Sequence, residues 1–300
     1  MDAARSPALA PSPITLGARP FDDYGLIDSG GGRKLERAGP YRLVRPEPQC
    51  LWRPRLDEAQ WNAAEAAFEA SDEDEAGRWR LSGEVAETWP MTWRSVRFLG
   101  RLTAFRHLGF FPEQVANWDW LDQKLRSQGP AHVLNLFGYT GIASLVCAAA
   151  GASVTHLDAS KKAIGWAREN AALSRLDDRP VRWICEDVRR YVQRELRRGS
   201  QYEGIILDPP KYGRGPTGEV WRLFEDLPEL LHNAVGLLSA NASFVILNAY
   251  AERVSAFSLA TLLAEALAGH GGRIDYGELA LVEQTGERGV GLSFFARWSA

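Results

Sequence analysis

Short apolar segments alternate with helix-forming segments between residues 113 and 268, and this alternation constrains the fold more than any other feature of the sequence. The apolar segments lie at residues 131–137, 153–157, 181–185, 204–207 and 243–248. Strands of this length that alternate with helices indicate a parallel sheet with helices on both faces. A final pair of segments, 277–284 and 291–298, flanks a glycine-bearing turn and predicts a hairpin. The sequence therefore predicts an α/β fold with a doubly wound, mostly parallel, seven-stranded sheet.

The segments between the strands predict the helices that such a sheet requires. They span residues 113–125, 161–173, 188–198, 224–238 and 256–268, with one further helix after the glycine turn at 138–141. In parallel sheets of this kind, ligands bind at the carboxyl ends of the strands. The candidate functional residues are therefore those that follow each apolar segment.

The first third of the chain has a different pattern. Residues 1–20 are small and proline-containing, and they predict a mobile tail. Residues 21–105 predict a small β-rich N-terminal domain, with strands at 41–44 and 93–99 and a helix at 58–68 that Asp57 caps. The acidic residues 72–75 predict an exposed loop. Residues 106–300 then form the domain with the alternating pattern.

Five of the eleven tryptophans lie in the β-rich region, at positions 52, 61, 79, 89 and 93. A small domain needs large side chains to build a core, which explains them without any ligand. Tryptophan side chains also stack on exposed nucleobases. The sequence leaves both explanations open.

Composition and charge narrow the class of protein. An apolar share of 45% and a charged share of 24% are typical of a soluble globular protein. No apolar run reaches the roughly 18–20 residues of a membrane span, and the first residues lack a secretion signal, so we expect a cytoplasmic protein without a membrane partner. A net charge of −3 argues against non-specific coating of nucleic acid. Arginines nevertheless cluster at 94–106 and at 189–198, and the second cluster is also what a solvated helix face presents.

The cysteines and histidines do not predict a metal site. Cys50, Cys147 and Cys185 lie far apart and form no CxxC pair, and the five histidines are equally scattered. We therefore expect no protein-bound metal. Composition does not indicate the oligomeric state.

The first strand of the alternating domain ends in a glycine turn that opens a helix. Its residues are Asn135-Leu-Phe-Gly-Tyr-Thr-Gly141. Glycines let the backbone pass close to a ligand, and a helix N-terminus offers unpaired N–H groups. The spacing is not that of a dinucleotide-binding GxGxxG motif, and an ordinary tight turn also explains it.

Acidic residues end the next three strands. Asp158 lies 20 residues after Gly138, the position from which a carboxylate accepts hydrogen bonds from a ribose diol. Asp187 follows the third strand, where it can meet an adenine amino group, and Asp208 follows the fourth. Each of the first two has an alternative as a helix cap, although Ser160 can cap the helix after Asp158. The succession of four polar strand ends predicts a nucleoside-bearing cofactor, with Asp208 at the reacting end.

From these motifs, the block from residue 135 to about residue 250 resembles a class I S-adenosylmethionine-dependent methyltransferase with a Rossmann-like fold. More narrowly, the glycine turn together with Asp208-Pro-Pro-Lys-Tyr212 resembles the bacterial 23S rRNA methyltransferases of the cytosine-5 and guanine-N7 type. The resemblance covers roughly residues 105–300. It implies S-adenosyl-L-methionine as cofactor and ribosomal RNA as substrate, and it implies that the terminal hairpin closes the sheet with a reversed strand.

The resemblance also implies roles for particular residues. Phe110-Phe-Pro-Glu-Gln114 resembles a segment that folds over the cofactor, which brings in Phe111 and Gln114. The methionine moiety is expected near Gly138, Thr140 and Gly141, the ribose at Asp158 and the adenine amino group at Asp187. The full set of expected cofactor-binding residues is Phe111, Gln114, Asn135, Phe137, Gly138, Thr140, Gly141, Asp158, Ser160 and Asp187.

The expected catalytic residues are Asp208, Pro209, Pro210, Lys211 and Tyr212. Methyl transfer from a sulfonium is an in-line displacement that mainly needs alignment, and two prolines fix the backbone beside the carboxylate. Related amino-methyltransferases carry an aromatic residue directly after the prolines, whereas this chain has Lys211 there and Tyr212 next. Lys211 contacts a phosphate or base carbonyl, or it merely neutralises Asp208.

Cysteine placement argues against methylation at cytosine C5, because that reaction needs a thiolate to add to the ring. The loop after the fifth strand reads Asn248-Ala-Tyr-Ala-Glu252 and has no cysteine. We therefore expect a base nitrogen as the acceptor. Two alternatives stay open: a methyltransferase acting on a protein or a small molecule, and a non-catalytic scaffold that keeps the methyltransferase fold.

Overall fold

Strands and helices alternate along the chain in the computed structural model, which describes residues 6–71, 74–129, 131–250 and 254–300. The strands are β1 (Ala8–Leu9), β2 (Ile14–Ala18), β3 (Tyr24–Gly30), β4 (Arg33–Ala38), β5 (Tyr41–Pro46), β6 (Ala66–Ser71), β7 (Asp74–Leu81), β8 (Trp89–Trp93), β9 (Val96–Gly100), β10 (His132–Leu136), β11 (Ser153–Asp158), β12 (Val181–Cys185), β13 (Gly204–Leu207), β14 (Tyr212–Arg214), β15 (Val220–Arg222), β16 (Phe244–Ala249), β17 (Arg273–Val282) and β18 (Gly289–Ser299). The α-helices are α1 (Glu58–Asn62), α2 (Val115–Gln128), α3 (Ile142–Ala149), α4 (Lys161–Leu173), α5 (Val188–Arg198), α6 (Leu223–Val235) and α7 (Ala256–Ala266).

The chain divides into two compact units. Unit 1 contains residues 1–16, 117–279 and 293–300, and unit 2 contains residues 17–116 and 280–292. This division differs from the predicted boundaries, because residues 106–116 and 280–292 belong with the β-rich part. Sequence patterns are read along contiguous segments, so they do not reveal that residues 280–292 pack with residues 17–116.

A large sheet organises unit 1, with the strand order β1-β17-β18-β16-β13-β10-β11-β12 and β2 also paired to β17. The pairs from β16 through β13, β10 and β11 to β12 are parallel, and β18 runs antiparallel to β16. The seven strands from β17 to β12 are the seven that the sequence predicts, including the reversed last strand. The short strands β1 and β2 add to this sheet.

Helices cover both faces of the sheet. Strand side chains alternate between the two faces, so a buried strand needs packing partners on each. One face carries Leu134, Leu136, Ile205 and Leu207, which share a core with α5, α6 and α7. On the other face Asn135 bonds Ser144 of α3, and α3 and α4 pack against β11. The predicted doubly wound arrangement is therefore confirmed.

Residues 1–20 were predicted to be a mobile tail, and for most of the described part of this segment the prediction is wrong. Ala8 and Ala10 donate backbone hydrogen bonds to Gly272 and Ile274 at 2.9 and 2.8 Å, which joins β1 in parallel to β17. A strand of two residues is too short to show a periodicity, and its pairing depends on a sheet edge more than 260 residues away. Residues 1–5 lie outside the described residues.

Unit 2 contains a five-stranded sheet with the order β3-β4-β5-β6-β7 and a separate hairpin of β8 and β9. The predicted helix at 58–68 begins as expected, because the Asp57 carboxylate accepts from Gln60 N at 2.9 Å. It ends at Asn62, and residues 66–71 form β6 instead, pairing with β5 and β7. Tertiary pairing overrides helix propensity here.

Two other predictions concern unit 2: the strand at residues 93–99, which is wrong, and the acidic loop at residues 72–75, which lies partly outside the described residues. Residues 93–99 are not one strand, because the chain turns at Arg94, which has a positive φ of 50°, between β8 and β9. Of the predicted acidic loop, residues 72 and 73 lie outside the described residues, and Asp74 begins β7.

The tryptophans of unit 2 have structural roles. Trp61, Trp89 and Trp93 are buried. Trp52 donates to the Ser29 carbonyl at 2.9 Å, and Trp79 donates to the Thr103 carbonyl at 2.8 Å. These contacts favour the core explanation over base stacking.

A buried charged cluster lies at the centre of unit 2. The Asp28 carboxylate accepts hydrogen bonds from the backbone N–H groups of Arg55 and Leu56, and from Arg288 at 2.5 Å. Glu283 pairs with the same Arg288 at 2.9 Å and accepts from the Ser29 hydroxyl at 2.6 Å. Buried carboxylates are tolerated because each has several donors. The partners come from both sequence segments of unit 2.

Within the described ranges, no helix is both long enough and apolar enough to cross a membrane.

Candidate functional site

The carboxyl ends of the central strands of unit 1 finish at one level. Leu136 pairs with Leu157 and with Leu207. The residues that follow therefore form one row at the edge of the sheet, which includes Asp158 and Asp208 on either side of β10. Neighbouring strands lie about 4.8 Å apart, so these two aspartates are separated by about 10 Å of sheet. The structure thus brings the predicted strand ends together along one edge.

The glycine turn after β10 has little free space. Gly138 lies so close to His156 that an added Cβ would meet the imidazole Cε1 at 2.3 Å. Phe137 and Tyr139 on either side have positive φ angles of 58° and 49°, which are rare for residues with side chains. Gly141, with φ 82°, directly precedes α3. Tight packing and left-handed backbone at Phe137, Tyr139 and Gly141 therefore define the shape of this turn.

A buried polar network supports the turn from below. The Asn135 amide donates to the Ser144 hydroxyl at 2.8 Å, and that hydroxyl bonds Nδ1 of His156 at 2.9 Å. Burial lowers the pKa of His156 to about 3, partly opposed by a hydrogen bond with the Tyr139 backbone, so the imidazole is neutral at physiological pH. Asn135 was predicted to contact the cofactor. The residue is 1% exposed and its side chain holds the framework of the turn, and its expected contact with the cofactor stays a prediction.

Thr140 and Phe137 complete the turn. The Thr140 side chain is buried, and its carbonyl accepts from Asn170 of α4 at 2.9 Å. The Phe137 ring is half-buried and lies against Trp221, with ring centroids 4.9 Å apart. Side chains from α4 and from the segment after β13 therefore fix the turn.

The Asp158 carboxylate lies beside the turn and accepts two backbone hydrogen bonds. Tyr139 N donates to Oδ2 at 2.9 Å, and Ser160 N donates to Oδ1 at 2.8 Å. Burial raises the pKa of Asp158, and these two N–H groups oppose the rise. A carboxylate has about four lone-pair positions, so both oxygens keep acceptor capacity for a diol. Ser160, not Asp158, caps α4, because its hydroxyl accepts from Ala163 N at 3.2 Å.

The Asp187 carboxylate caps α5, which is the alternative that the sequence left open. Its Oδ1 accepts from the backbone N–H groups of Arg189 and Arg190 at 3.0 and 3.2 Å. Its Oδ2 lies 3.3 Å from the Arg189 guanidinium. Both oxygens thus have protein partners, and the expected contact with an adenine amino group stays a prediction.

The Asp208-Pro-Pro segment continues the sheet and is then fixed by a tryptophan. Asp208 N donates to the Leu136 carbonyl at 3.4 Å, which extends the β10–β13 ladder by one residue. The Pro210 carbonyl accepts from Trp221 Nε1 at 2.7 Å. Asp208 is half-buried, whereas Lys211 and Tyr212 are exposed. The structure thus presents the five expected catalytic residues as one short, fixed segment.

Phe111 and Gln114 belong to unit 2. Pro112–Gln114 form a 3-10 turn, and the Phe111 ring lies against His107 with centroids 5.0 Å apart. Their expected contact with the cofactor stays a prediction.

Three residues that hold the site together were missed from the sequence: Ser144, His156 and Trp221. Ser144 and His156 lie inside α3 and β11, where a single polar residue gives no signal until its partner is known. Trp221 lies on β15, a short strand that the sequence did not predict.

We expect the Asp158→Ala variant to bind S-adenosylmethionine about tenfold to a hundredfold more weakly, because hydrogen bonds to a charged acceptor contribute about 1.5–3 kcal/mol. Isothermal titration calorimetry measures the dissociation constant. Asp177→Ala removes an equally charged, exposed side chain after α4 and serves as the control. An unchanged dissociation constant in Asp158→Ala contradicts the ribose assignment.

In the part of the chain that the structure describes, no group of three or more His, Cys, Asp or Glu side chains is placed to hold a metal ion.

The sequence is similar to one protein family over most of its length. The S-adenosylmethionine-dependent methyltransferase family matches residues 65–256. A ribosomal RNA large subunit methyltransferase K/L from Shewanella frigidimarina is 32% identical over 154 residues, which are 51% of this chain and 21% of that protein. The chain therefore matches only about a fifth of the length of this curated relative.

Solved structures show similarity over the whole chain. The crystal structure of an S-adenosylmethionine-dependent methyltransferase from Agrobacterium tumefaciens is 49% identical, with a TM-score of 0.95, and covers 99% of this chain and 96% of that one. A protein from Streptococcus mutans described as an S-adenosylmethionine-dependent methyltransferase is 18% identical, with a TM-score of 0.70. It covers 92% of this chain and 75% of that chain, and at this identity it shows the fold alone.

Proposed function

Because this chain belongs to the S-adenosylmethionine-dependent methyltransferase family, we propose that it transfers a methyl group to a base nitrogen of ribosomal RNA. The observation that carries the proposal is that the strand ends form a single row at one edge of the sheet. In this row Asp158 follows β11, the glycine turn follows β10, and Asp208 follows β13. The name of the curated relative, a ribosomal RNA large subunit methyltransferase, supports the RNA target. We further propose that the enzyme acts in the cytoplasm.

The residues of the row fit the cofactor in chemical type. At Gly138 an added Cβ would meet His156, so only glycine lets the turn keep this position at the end of β10. The helix that follows the turn offers N–H groups at its N-terminus, which suit a polar ligand. The Asp158 carboxylate keeps lone pairs for a ribose diol after its two backbone bonds. When bound, S-adenosylmethionine supplies an electrophilic methyl group on a sulfonium. In this arrangement Gly138, Gly141 and Asp158 hold the nucleoside and amino-acid parts.

Asp208 then positions the acceptor base. The segment from Asp208 to Pro210 is rigid, because the prolines restrict the backbone and Trp221 holds the Pro210 carbonyl. Rigid placement is what methyl transfer needs most, since good alignment alone contributes about 7–11 kcal/mol. The Asp208 carboxylate and the nearby carbonyls accept hydrogen bonds from the base and orient its nitrogen.

The three cysteines support a nitrogen acceptor over cytosine C5. Burial raises the pKa of Cys147 to about 12 and that of Cys50 to about 11. Cys185 is exposed at the end of β12, and its pKa is also raised, by burial and by Asp158. In the sheet order β12 is three strands from β13, about 14 Å, so this thiol lies at the far end from Asp208. None of these thiols has the lowered pKa of a nucleophilic thiolate.

We therefore expect Cys185→Ser to retain methyl transfer within about twofold of wild type, since a ring nitrogen needs no nucleophile. Incorporation of labelled methyl groups into ribosomal RNA measures this. Loss of activity in Cys185→Ser, together with 5-methylcytosine in the product, contradicts the nitrogen assignment.

The main experiment uses ribosomal RNA from a strain that lacks this enzyme. The purified protein is incubated with labelled S-adenosylmethionine and that RNA, and mass mapping locates the modified nucleotide. A methylated base nitrogen at one position is the expected result. Transfer to protein or to small molecules in the same extract, with none to RNA, overturns the substrate assignment. Absence of cofactor binding by calorimetry supports the non-catalytic scaffold instead.

A further inference from the structure

The antiparallel hairpin of β14 and β15 follows directly after the Asp208-Pro-Pro segment. Tyr212 pairs with Arg222, and Arg214 pairs with Val220. These four residues share one face of the hairpin, because strand side chains alternate and the intervening pair, Gly213 and Trp221, points the other way. All four are exposed. We call the set Tyr212, Arg214, Val220 and Arg222 the hairpin face.

The hairpin is fixed to unit 1 at both ends. At its base, Trp221 bonds the Pro210 carbonyl at 2.7 Å, and Leu223 N donates to the Lys211 carbonyl at 3.1 Å. Near its tip, Glu219 pairs with Arg190 of α5 at 2.7 Å. A surface held in this way keeps a constant position relative to Asp208.

The positive charges of the hairpin differ from those of α5. Among the described residues, no carboxylate lies within ion-pair distance of the charged groups of Lys211, Arg214 or Arg222. Asp226 is near Arg222, but it accepts from the Arg222 backbone N–H at 2.7 Å, and its other oxygen pairs with Arg189. On α5, by contrast, Arg189, Arg190, Arg194 and Arg198 all pair with carboxylates. A cavity of about 250 Å³ between α5 and α6 is likewise lined by both signs, including Asp226 and Glu229. Four of the five arginines of α5 are therefore paired with carboxylates, all but Arg197. The side-chain charges at the hairpin have no such partner among the described residues.

The apolar members of the hairpin face add a second kind of contact. Tyr212 is 51% exposed and Val220 is 40% exposed. An aromatic ring beside unpaired arginines matches a nucleotide, because the base stacks on the ring while the phosphates meet the guanidinium groups. Arg214 and Arg222 are diagonal neighbours across the two strands. Residues in this relation have backbone positions about 7–8 Å apart. An unstacked single strand presents both groups at once, whereas a duplex hides its base faces.

We propose that the hairpin face binds single-stranded RNA next to the acceptor base, with Arg214 and Arg222 contacting phosphates and Tyr212 stacking on a neighbouring base. This rests on the proposed function and names the surface by which the enzyme holds its substrate. It also assigns RNA contact to the hairpin and not to the arginines of α5.

The first test measures the salt dependence of RNA binding. Fluorescence anisotropy with a labelled single-stranded RNA oligonucleotide of mixed sequence is recorded over a range of salt concentrations. For Arg214→Ala/Arg222→Ala the slope of log K against log salt should fall by about 1.4, since each phosphate contact on a single strand contributes about 0.7. The control, Arg197→Ala/Arg198→Ala on α5, removes the same charge from an exposed helix face and should leave the slope unchanged.

The second test isolates stacking. Tyr212→Ala should weaken RNA binding by about tenfold, and Tyr212→Phe should restore most of that loss, because the ring face makes the contact. Calorimetric titration with S-adenosylmethionine confirms that each variant keeps an intact cofactor site.

The outcomes separate this inference from the proposed function. If wild type methylates ribosomal RNA and the hairpin variants bind RNA as wild type does, the hairpin assignment is wrong and the proposed function stands. If wild type neither binds nor methylates RNA, both fail. A third outcome overturns the RNA assignment. If poly-L-glutamate displaces the RNA at matched charge and Tyr212→Ala leaves RNA affinity unchanged, the hairpin face is a site for acidic protein.

Discussion

Methyl transfer by the Asp208→Ala variant should fall by about a hundredfold to a thousandfold, the loss expected when one positioned group that stabilises the transition state is removed. Asp208 is half-buried at the end of β13, in the segment that Trp221 and two prolines hold in place. Cofactor affinity should stay at the wild-type value, because Asp158, the expected ribose partner, lies across β10 from it. Single-turnover kinetics with labelled S-adenosylmethionine and ribosomal RNA, beside calorimetry, measure both quantities.

The Asp208→Asn variant sharpens this test. Asparagine keeps a carbonyl acceptor but has no charge. If the Asp208 side chain only orients the base, Asp208→Asn should therefore retain much of the methyl-transfer activity. If Asn is as inactive as Ala, the carboxylate takes up a proton or balances charge. Asp178→Ala, at an exposed position after α4, is the matched control and should behave as wild type. Wild-type turnover in Asp208→Ala would remove this residue from the mechanism.

The second large effect is expected at Gly138. In Gly138→Ala the new methyl group meets the His156 imidazole at 2.3 Å, and that ring is buried and bonded to Ser144. Either the ring or the turn must move, so stability should fall by about 1–3 kcal/mol, the usual cost of overpacking a core. Cofactor affinity should fall by more than tenfold, because the turn is displaced from the row of strand ends. Thermal denaturation and calorimetry report the two effects separately.

Gly165→Ala is the control for this substitution. Gly165 lies inside α4, and an added Cβ there has no neighbour within 4 Å. Alanine favours helix over glycine by about 1 kcal/mol, so this variant should be slightly more stable with unchanged cofactor affinity. A Gly138→Ala protein that matches it in melting temperature and affinity would show that the turn tolerates a side chain.

Elements with strong local signals were predictable from the sequence. Helix α4 spans Lys161–Leu173 as predicted, because Ser160 caps its start and its apolar positions face the core. Helix α5 spans Val188–Arg198 as predicted, between Asp187 at its N-cap and Gly199 at its C-cap. The strands β12 and β13 also have the predicted bounds. In these elements, local propensity and tertiary packing agree.

The errors occur where distant partners decide the structure. Strand β6 takes residues that favour helix, because β5 and β7 offer ladder hydrogen bonds on both sides. The β14–β15 hairpin was not predicted, since its short strands carry few apolar residues. In the site, the row of acidic strand ends follows from the strand pattern, but the direction of each side chain does not. Asn135 faces Ser144, and Asp187 faces its own helix, for reasons that only the packed structure shows.

The buried cluster of unit 2 has a consequence for the growing polypeptide. Synthesis runs from the N-terminus to the C-terminus, and Asp28 is made 260 positions before its partner Arg288. Unit 2 therefore cannot complete this charged cluster until its second segment, residues 280–292, has been synthesised. Until then the nascent chain carries a carboxylate at Asp28 whose guanidinium partner does not yet exist.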